Sequence, residues 1–449
     1  MPDVDGIVAH LSSLNVTRTG KTCEPEPSAR ALVIGAGYIG LETAEQLQRL
    51  GLSVTVMELA DQVMSTLDSE MAYPIEVALK SAGIKVILGD GLREISEVQG
   101  IQLARTSSGM EIPFDLGILA TGVKPRVELA VDVGIELGKS GAIRVDEFQR
   151  TCEPTIFAAG DNCEAMHLVT RQPVNLPLAG PANKAGRAAG ANAALDLVGA
   201  GNSDPRRIKL RGVLGTAVVR VFGVYAAATG LTEKAAKQQG IEYELAFLTG
   251  LNHAGYYPGA ETLQLKVLFE TGSGRLLGGQ CCGGAGVERR IDILATAISG
   301  GLCIEDLEQL DLCYSPPVGS AKDIAILAGF AGANTRRGIM PYLSPGELQT
   351  VLDAEEPTIV VDVRTKKEYR DGHLEGALNI PVDELRGRIE EIPESGPVLV
   401  YCQSGHRSYI AQQILLNLGR TNVRNLLGGH GLLEQYRRAN DESRRRTGK

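Results

Sequence analysis

The chain of 449 residues contains no tryptophan, few aromatic residues and no long apolar run. A membrane-spanning helix needs about 20 consecutive apolar residues, and no segment of the sequence approaches that length. The first thirty residues also lack the apolar stretch of a signal peptide. We therefore expect a cytoplasmic protein without a membrane partner. The net charge of −9 argues against a nucleic-acid partner.

Cysteine occurs eight times, and its positions are scattered apart from the Cys281–Cys282 pair. The sequence has no C-x-x-C motif and no Cys/His cluster with the spacing of zinc ligands, so we expect no metal site. In a reducing compartment, most of these cysteines are predicted to be free thiols or small core residues.

The length favours about three domains. Glycine is abundant, with 54 residues, which indicates tight turns and close backbone approaches of the kind that nucleotide-binding folds need. The one basic run, residues 444–446, is predicted to be a solvated tail.

A β-α-β unit is predicted near the start of the chain. The apolar run 31–34 indicates a buried parallel strand, and it leads directly into the sequence G-A-G-Y-I-G at residues 35–40. A helical pattern follows, and residues 54–58 read as the next strand. This context makes the glycine motif a predicted dinucleotide site. The alternative is a glycine-rich turn in an unrelated α/β protein.

Each residue of this motif has a separate physical task. Gly35 permits the tight turn, Gly37 lets the backbone approach a pyrophosphate, and Gly40 lets the helix pack closely on the strand. The helix N-terminus offers free N–H groups to the phosphates. Glu58 would accept hydrogen bonds from a ribose 2′-hydroxyl and repel a 2′-phosphate, which favours NADH over NADPH.

Three later motifs resemble the pyridine nucleotide-disulfide oxidoreductases: A-T-G-V-K-P at residues 120–125, T-I-F-A-A-G-D at 155–161, and L-A-G-P-A-N-K at 178–184. The resemblance implies that Gly122 lies at the nicotinamide cofactor and that Asp161 binds the ribityl chain of FAD. It also implies that the helix containing Pro181 faces the flavin. The alternatives are a turn residue for Asp161 and a plain alanine-faced helix around Pro181.

Residues 205–330 resemble the dimerisation domain of one subgroup, the coenzyme A-disulfide reductases with related NADH oxidases and persulfide reductases. The matching segments are H-A-G-Y-Y-P-G at 253–259 and Y-S-P-P at 314–317. In that subgroup, tyrosines of this domain reach the partner subunit's active site. The resemblance thus implies a homodimer and assigns Tyr314 and Tyr257 to catalysis, with Tyr256 as the alternative to Tyr257. Buried packing tyrosines are the other interpretation.

The family begins with an FAD-binding strand, its own glycine motif and a reactive cysteine, and the sequence has no counterpart of these. Cys23 lies in a polar linker and is not expected to replace that cysteine. We expect residues 129–204 to form a half-domain with exposed apolar edges, and the chain to lack stoichiometric flavin. A fragment or a wrongly assigned start is favoured over a chain that works without flavin.

The last domain contains the loop Y-C-Q-S-G-H-R-S at residues 401–408, between the strand 398–401 and a helix predicted to open at Ser408. Loop N–H groups and the helix dipole would stabilise a Cys402 thiolate and then a persulfide. Arg407 adds positive charge and would pair with an anionic donor such as thiosulfate. The expected persulfide loop consists of Gln403, Ser404, Gly405, His406 and Ser408.

This domain resembles the rhodaneses, also through D-V-R at 362–364 and G-H-L-E-G-A at 372–377. Four residues separate Cys402 from Arg407, as in sulfurtransferases, whereas cysteine phosphatases have five. The resemblance implies Cys402 as the sulfur-carrying nucleophile. An inert core thiol is the alternative, and the side chain of His406 is equally consistent with simple exposure.

We therefore expect an α/β protein with a Rossmann-like NAD domain, a partial FAD domain, an α+β dimerisation domain and a rhodanese α/β domain. The predicted boundaries are a leading helix and linker (1–29), the NAD domain (30–128), the FAD half-domain (129–204), the dimerisation domain (205–334), a linker (335–341), the rhodanese domain (342–440) and a tail (441–449).

The predicted function is an FAD- and NAD(P)H-dependent reductase of coenzyme A disulfide, persulfides or polysulfides. It would be fused to a sulfurtransferase that takes sulfur from persulfide or thiosulfate-like donors. The alternative is a sulfurtransferase alone, whose front part is a flavin-free dimerising remnant.

Overall fold

A computed structural model describes residues 2–14 and 29–446 of the chain. Residues 15–28 of the predicted N-terminal linker, including Cys23, lie outside the described residues. In the part that is described, no helix is both long enough and apolar enough to cross a membrane.

The first region contains a parallel sheet of order β3-β2-β1-β7 and an antiparallel sheet of order β4-β5-β6. Its elements are α1 (Pro2–Ser13), β1 (Arg30–Ile34), α2 (Tyr38–Arg49), β2 (Ser53–Met57), α3 (Ser69–Ser81), β3 (Lys85–Ile87), β4 (Leu92–Val98), β5 (Ile101–Thr106), β6 (Glu111–Phe114) and β7 (Leu116–Leu119).

The predicted β-α-β unit is confirmed at β1, α2 and β2. Strand β1 is apolar because both of its faces are buried, and α2 buries Leu41, Ala44 and Leu47 at helical spacing. Strands β1 and β7 are neighbours, and the Ala120 N–H donates to the Ile34 carbonyl at 2.7 Å. The sheet thus opens a crevice at the carboxyl ends of β1 and β7, where the chain order changes.

The second region is α4 (Glu128–Asp132), β8 (Ala165–Met166), β9 (Pro173–Val174) and α5 (Ala179–Leu197). The residue pattern between 135 and 165 favours short strands, but the structure shows isolated bridges there, such as Arg150 with Phe157. The N–H and C=O groups of these described residues thus form no continuous ladder before β8. Leu129 and Leu197 are 80% and 89% exposed, in line with the expected apolar edges.

The third region is an antiparallel sheet of order β10-β11-β14-β13-β12, and helices α7 and α8 pack on it. Its elements are β10 (Ala217–Val221), β11 (Val224–Gly230), α6 (Glu233–Gln238), β12 (Tyr243–Leu251), β13 (Thr262–Glu270), β14 (Leu276–Gly283), α7 (Val287–Gly300), a 3-10 helix (Ile304–Gln309) and α8 (Ile324–Arg336). This is the predicted α+β domain.

The fourth region is a five-stranded parallel sheet of order β15-β19-β18-β16-β17. Its elements are β15 (Tyr342–Leu343), α9 (Leu348–Leu352), β16 (Ile359–Asp362), α10 (Lys366–Asp371), β17 (Leu378–Asn379), 3-10 helices (Leu385–Gly387 and Ile389–Glu391), β18 (Val398–Tyr401), α11 (His406–Asn417), β19 (Val423–Leu426) and α12 (Gly429–Arg446). Helix α12 continues through six residues of the predicted tail, 441–446.

A buried ionic cluster joins the first and third regions. The Lys266 ammonium lies 2.8 Å from Asp68, 2.5 Å from Glu70 and 2.6 Å from Glu233. Burial alone would lower the pKa of Lys266, but these carboxylates, led by Glu70, raise it well above its ordinary value. Although the three acids are close enough together to hold a metal ion, Lys266 already supplies the cation.

The fourth region packs against the first and third regions. The backbone N–H of Leu245, on the edge strand β12, donates to the Tyr342 hydroxyl at 2.9 Å. Helix α12 lies on α3, and Gln435 donates to the Glu70 carbonyl from there. These contacts cover a sheet edge that would otherwise be free to pair with another chain.

Candidate nucleotide-binding and sulfur-transfer sites

The loop from β1 to α2 has the geometry that its glycines predict. Gly35 has a φ of +105°, and a Cβ there would collide with the Ala120 carbonyl. A Cβ on Gly40 would collide with the Gly35 carbonyl, so this glycine sets the close approach of helix and strand. At Gly37, by contrast, a Cβ would have no described atom within 4 Å. The space in front of α2 is therefore open to a ligand.

Helix α2 begins at this open space without a side-chain cap among the described residues, and its first turn carries no acidic residue. Its free N–H groups and the positive end of its dipole can therefore receive phosphates. Gly122 follows β7 across the crevice, with a φ of +106° and no described atom within 4 Å of a Cβ. The arrangement fits a dinucleotide.

Glu58 stands at the carboxyl end of β2, as predicted, and its carboxylate also holds the glycine loop. One oxygen accepts the Ala36 N–H at 2.7 Å and the other accepts the Ala60 N–H at 3.0 Å. The carboxylate is fixed in this position and keeps lone pairs for a further donor, such as a ribose hydroxyl.

The residues expected to face a flavin, Asp161 and Pro181, both lie in the second region. Asp161 is exposed and follows Gly160, whose φ is +94°, and Pro181 lies in the first turn of α5. Within residues 2–14 and 29–446, the strand–glycine–helix unit suited to a pyrophosphate is β1–α2, which belongs to the NAD sheet. The described residues alone therefore do not fit a whole FAD.

The predicted tyrosines are all exposed on the surface of the single chain and do not pack in its core. The hydroxyls of Tyr256 and Tyr314 lie 3.3 Å apart. The ring of Tyr257 instead packs edge-on against His253, with 5.7 Å between ring centroids. The structure thus brings Tyr314 together with Tyr256, whereas sequence reasoning had selected Tyr257.

Cys402 lies at the end of the central strand β18 and is 1% exposed. Its Sγ receives the Gly405 N–H at 3.2 Å and the Ser408 hydroxyl at 3.3 Å. Helix α11 begins at His406, two residues earlier than expected, because Gly405 adopts a φ of +97° and serves as its N-cap. The sulfur therefore lies beneath a loop amide at the positive end of the α11 helix dipole.

The other loop residues surround this position. Gln403 and His406 have exposed side chains, and Ser404 is half-buried. The exposed side chain of His406 agrees with the simpler of the two interpretations given above.

Arg407 does not stand free at the mouth of the loop. Its guanidinium makes a two-fold contact with Glu368 of α10, at 2.9 Å and 2.6 Å. This pairing holds the pKa of Glu368 at about 2 and raises that of Arg407, to which the nearby Cys402 also contributes. Arg407 is thus close to the sulfur, but a carboxylate already binds it.

Arg364 is a buried residue of the site that sequence reasoning did not select. It makes a multiple ion pair with Asp362, at 2.7 Å for the shortest contact, and reaches the Gln403 side chain at 3.3 Å. Its guanidinium also lies over the Tyr401 ring. The D-V-R motif at residues 362–364 could have indicated this pair, since it lies at the end of a strand, at the edge of the sheet from which Cys402 emerges.

The loop at residues 428–431 holds the backbone of the Cys402 loop through hydrogen bonds. The His430 N–H donates to the Cys402 carbonyl at 2.8 Å, and the Gly431 N–H donates to the Gln403 carbonyl at 3.0 Å. A Cβ on Gly429 would collide with the Cys402 carbonyl. The run G-G-H-G at 428–431 therefore fixes the backbone of the sulfur loop and could have been noticed as a second glycine cluster.

The two adjacent cysteines Cys281 and Cys282 contrast with Cys402. Burial raises the pKa of Cys281 well above its ordinary value and that of Cys282 to about 12. Both thiols lie in β14 among apolar neighbours, as expected for small core residues. Neither has the surroundings of a nucleophile.

Comparison with known proteins gives family matches for three parts of the chain. Residues 2–181 match the family pyridine nucleotide-disulphide oxidoreductase, residues 216–325 its dimerisation domain, and residues 344–431 the rhodanese-like domain. The NAD(P)H sulfur oxidoreductase (CoA-dependent) of Pyrococcus furiosus is 34% identical over 297 residues, 66% of this chain and 64% of that protein. The chain thus spans less than two thirds of the length of this curated relative.

Two further relatives are covered more fully. The NADH oxidase of Methanocaldococcus jannaschii is 33% identical over 327 residues, 73% of this chain and 70% of that protein. The crystal structure of reduced Bacillus anthracis CoADR-RHD is 36% identical with a TM-score of 0.89, and the match covers 98% of this chain and 74% of that chain. The chain therefore belongs to the pyridine nucleotide-disulphide oxidoreductases and carries a rhodanese-like domain at its carboxyl-terminal end.

Proposed function

We propose that the protein transfers sulfane sulfur through a persulfide on Cys402 and belongs to a system that reduces coenzyme A disulfide, persulfides or polysulfides with NAD(P)H. One observation carries the proposal: the Cys402 sulfur lies beneath the Gly405 N–H and the Ser408 hydroxyl at the N-terminus of α11. Such a position stabilises negative charge on sulfur before and after transfer.

In the loading step, the Cys402 thiolate attacks the outer sulfur of a donor such as thiosulfate. A new S–S bond forms on Cys402, the sulfur–sulfur bond of thiosulfate breaks, and sulfite leaves with its electron pair. The negative charge moves to the outer sulfur of the persulfide. The N–H groups of the loop, held by the contact of His430 with the Cys402 carbonyl, are directed at this charge.

In the discharge step, an acceptor thiolate or cyanide attacks the outer sulfur. The S–S bond on Cys402 breaks, its electron pair returns to Cys402 as a thiolate, and the acceptor leaves as a persulfide or as thiocyanate. No net oxidation occurs, so sulfur transfer needs no cofactor.

The nicotinamide site would be formed by Gly35, Gly37, Gly40, Glu58 and Gly122. The loop N–H groups would hold the pyrophosphate and Glu58 would accept a ribose hydroxyl. A bound NAD(P)H supplies a hydride. The family in general combines this cofactor with FAD, for which Asp161 and Pro181 are the proposed contacts from this chain.

The proposed assembly is a homodimer through the third region, which matches the family's dimerisation domain. The paired hydroxyls of Tyr256 and Tyr314 are exposed and close enough to act on one group. We assign this pair, rather than Tyr257, to the partner's reaction centre. This assignment does not involve Lys266 or the carboxylates that accept its hydrogen bonds.

A second candidate function is sulfur transfer alone, because the described residues present only one side of an FAD site. Both candidates predict formation of thiocyanate from thiosulfate and cyanide by the full chain. They differ when NADH, FAD and coenzyme A disulfide or polysulfide are supplied together. Oxidation of NADH that depends on the disulfide supports the reductase, and its absence leaves the sulfurtransferase.

A further inference from the structure

Each cation described at the Cys402 loop is paired with a carboxylate. Arg407 is bound to Glu368 in two places, and Arg364 is bound to Asp362. Burial, followed by the charge of Arg364, lowers the pKa of His430, so this side chain adds no positive charge near neutral pH. Both arginines beside the sulfur are thus neutralised by a carboxylate, so an incoming anion meets no unpaired guanidinium among the described residues of the loop.

The neighbouring charges on α10 are directed elsewhere. Lys366 pairs with Glu384 at 3.2 Å, and Lys367 pairs with Asp371 at 2.8 Å. Arg370 lines a separate cleft with Lys366 and Arg388, on a different face of the helix from Glu368. Among the described residues of α10, Glu368 is thus the one that contacts the sulfur loop.

We propose that Glu368 sets the charge selectivity of this site: by neutralising Arg407, it disfavours dianionic sulfur donors relative to monoanionic ones. The inference rests on the proposed sulfur transfer at Cys402. Thiosulfate brings two negative charges to the mouth, whereas a persulfide or an organic thiosulfonate brings one to the same reaction. Each additional charge gains from a free guanidinium and is repelled by a free carboxylate.

Glu368 also has a structural task, which the test must separate from its charge. Its carboxylate accepts the Thr365 N–H at 3.0 Å, and the Thr365 hydroxyl accepts the Glu368 N–H at 3.2 Å, which caps α10. Glutamine serves in such a capping box as glutamate does. Glu368→Gln therefore removes the charge and keeps the cap, whereas Thr365→Ala weakens the cap and keeps the charge.

The experiment measures kcat/KM of the full chain for thiosulfate and for methanethiosulfonate, a monoanion that donates the same outer sulfur and releases a sulfinate. Glu368→Gln should raise the ratio of thiosulfate to methanethiosulfonate about 10-fold. Added salt should reduce this gain, because the effect is electrostatic. Thr365→Ala and the exposed control Glu390→Gln, which makes the same charge change, should leave the ratio within about twofold.

An unchanged ratio in Glu368→Gln, or an equal loss with both donors, would overturn the inference and leave Glu368 as a support for Arg407. An equal rise in Glu390→Gln would also overturn it, since net charge alone would then explain the effect. If the unaltered chain accepts sulfur from neither donor, the proposed function itself fails, and this outcome is distinct from the others.

Discussion

The β1–α2 loop and the β18–α11 loop have the same local architecture, but different groups face their helix N-termini. Each leaves a central parallel strand, turns at a glycine with positive φ, and opens a helix whose N-terminus attracts negative charge. At Gly37 the position facing the helix is empty, so a diffusible anion can occupy it. At Cys402 the protein supplies the charged atom itself, beneath the Gly405 N–H.

Each loop is also fixed by a glutamate from another element. Glu58 accepts two backbone N–H groups and leaves the open space unchanged, whereas Glu368 binds the arginine that stands next to the reactive sulfur. In both loops a helix N-terminus faces the position proposed for the negative charge. If the proposed function is right, the residue that faces this N-terminus decides between reversible binding and covalent chemistry.

The largest effect is expected from Cys402→Ser, which converts the covalent loop into a binding loop. A hydroxyl neither ionises near neutral pH nor holds a sulfane sulfur, so formation of thiocyanate should be abolished. Binding of NADH, followed by fluorescence titration, should not change. The exposed Cys152→Ser is the control, and thiocyanate formation by Cys402→Ser at the normal rate would refute the assignment.

Lys266→Met should lower the stability of the front regions, which contain the β1–α2 loop, without affecting the β18–α11 loop. Removing the cation leaves the buried carboxylates of Asp68 and Glu70 without an ammonium partner, although Glu233 keeps its ion pair with Lys237. The free energy of unfolding of the front regions should therefore fall by about 3–5 kcal/mol. The first transition in urea reports this change. Lys234→Met, at an exposed neighbouring position, is the matched control, and transfer of sulfur by the folded variant should remain. An unchanged transition would mean that the cluster contributes little.

Arg407→Ala should lower kcat/KM for thiosulfate by about 10–100-fold, or about 1.4–2.7 kcal/mol. The change removes the cation near the thiolate and leaves the Glu368 carboxylate without its partner. Arg407→Lys restores the charge without the two-fold contact and should recover part of the rate. If alanine is as active as arginine, the loop N–H groups alone account for the electrostatics.

Glu58→Arg should have the smallest of these effects, because it alters a reversible contact. Loss of the ribose acceptor should weaken binding of NADH about 10-fold and improve that of NADPH, since an arginine can pair with the 2′-phosphate. Glu58→Gln, which retains one acceptor for the loop N–H groups, should lie between. An unchanged preference in titrations would place Glu58 away from the ribose.

Both loops could be predicted from the sequence because strand, glycine turn and helix follow one another within a few residues. Local patterns of burial and turn chemistry are sufficient for such units. The pairing of Arg407 with Glu368 was missed because the two residues are 39 positions apart. Only the tertiary arrangement of α10 and α11 brings them together.

Other misses have equally specific causes. Tyr256 and Tyr257 are neighbours in sequence, and only the structure shows which hydroxyl reaches Tyr314. Lys266 interrupts the apolar run 265–269 of β13, and this break in the pattern could have indicated a buried ion pair. The pattern of residues 135–165 favours strands that the structure does not form, because such a pattern does not reveal whether a partner strand lies beside it.

The most direct test of the account is to locate the transferred sulfur. The full chain is incubated with thiosulfate without an acceptor, and its peptides are analysed by mass spectrometry under non-reducing conditions. The account predicts one additional sulfur atom on the peptide that contains Cys402, together with release of one sulfite per sulfur bound. Sulfur on Cys313 or Cys152 instead, or on no cysteine while sulfite is released, would contradict it.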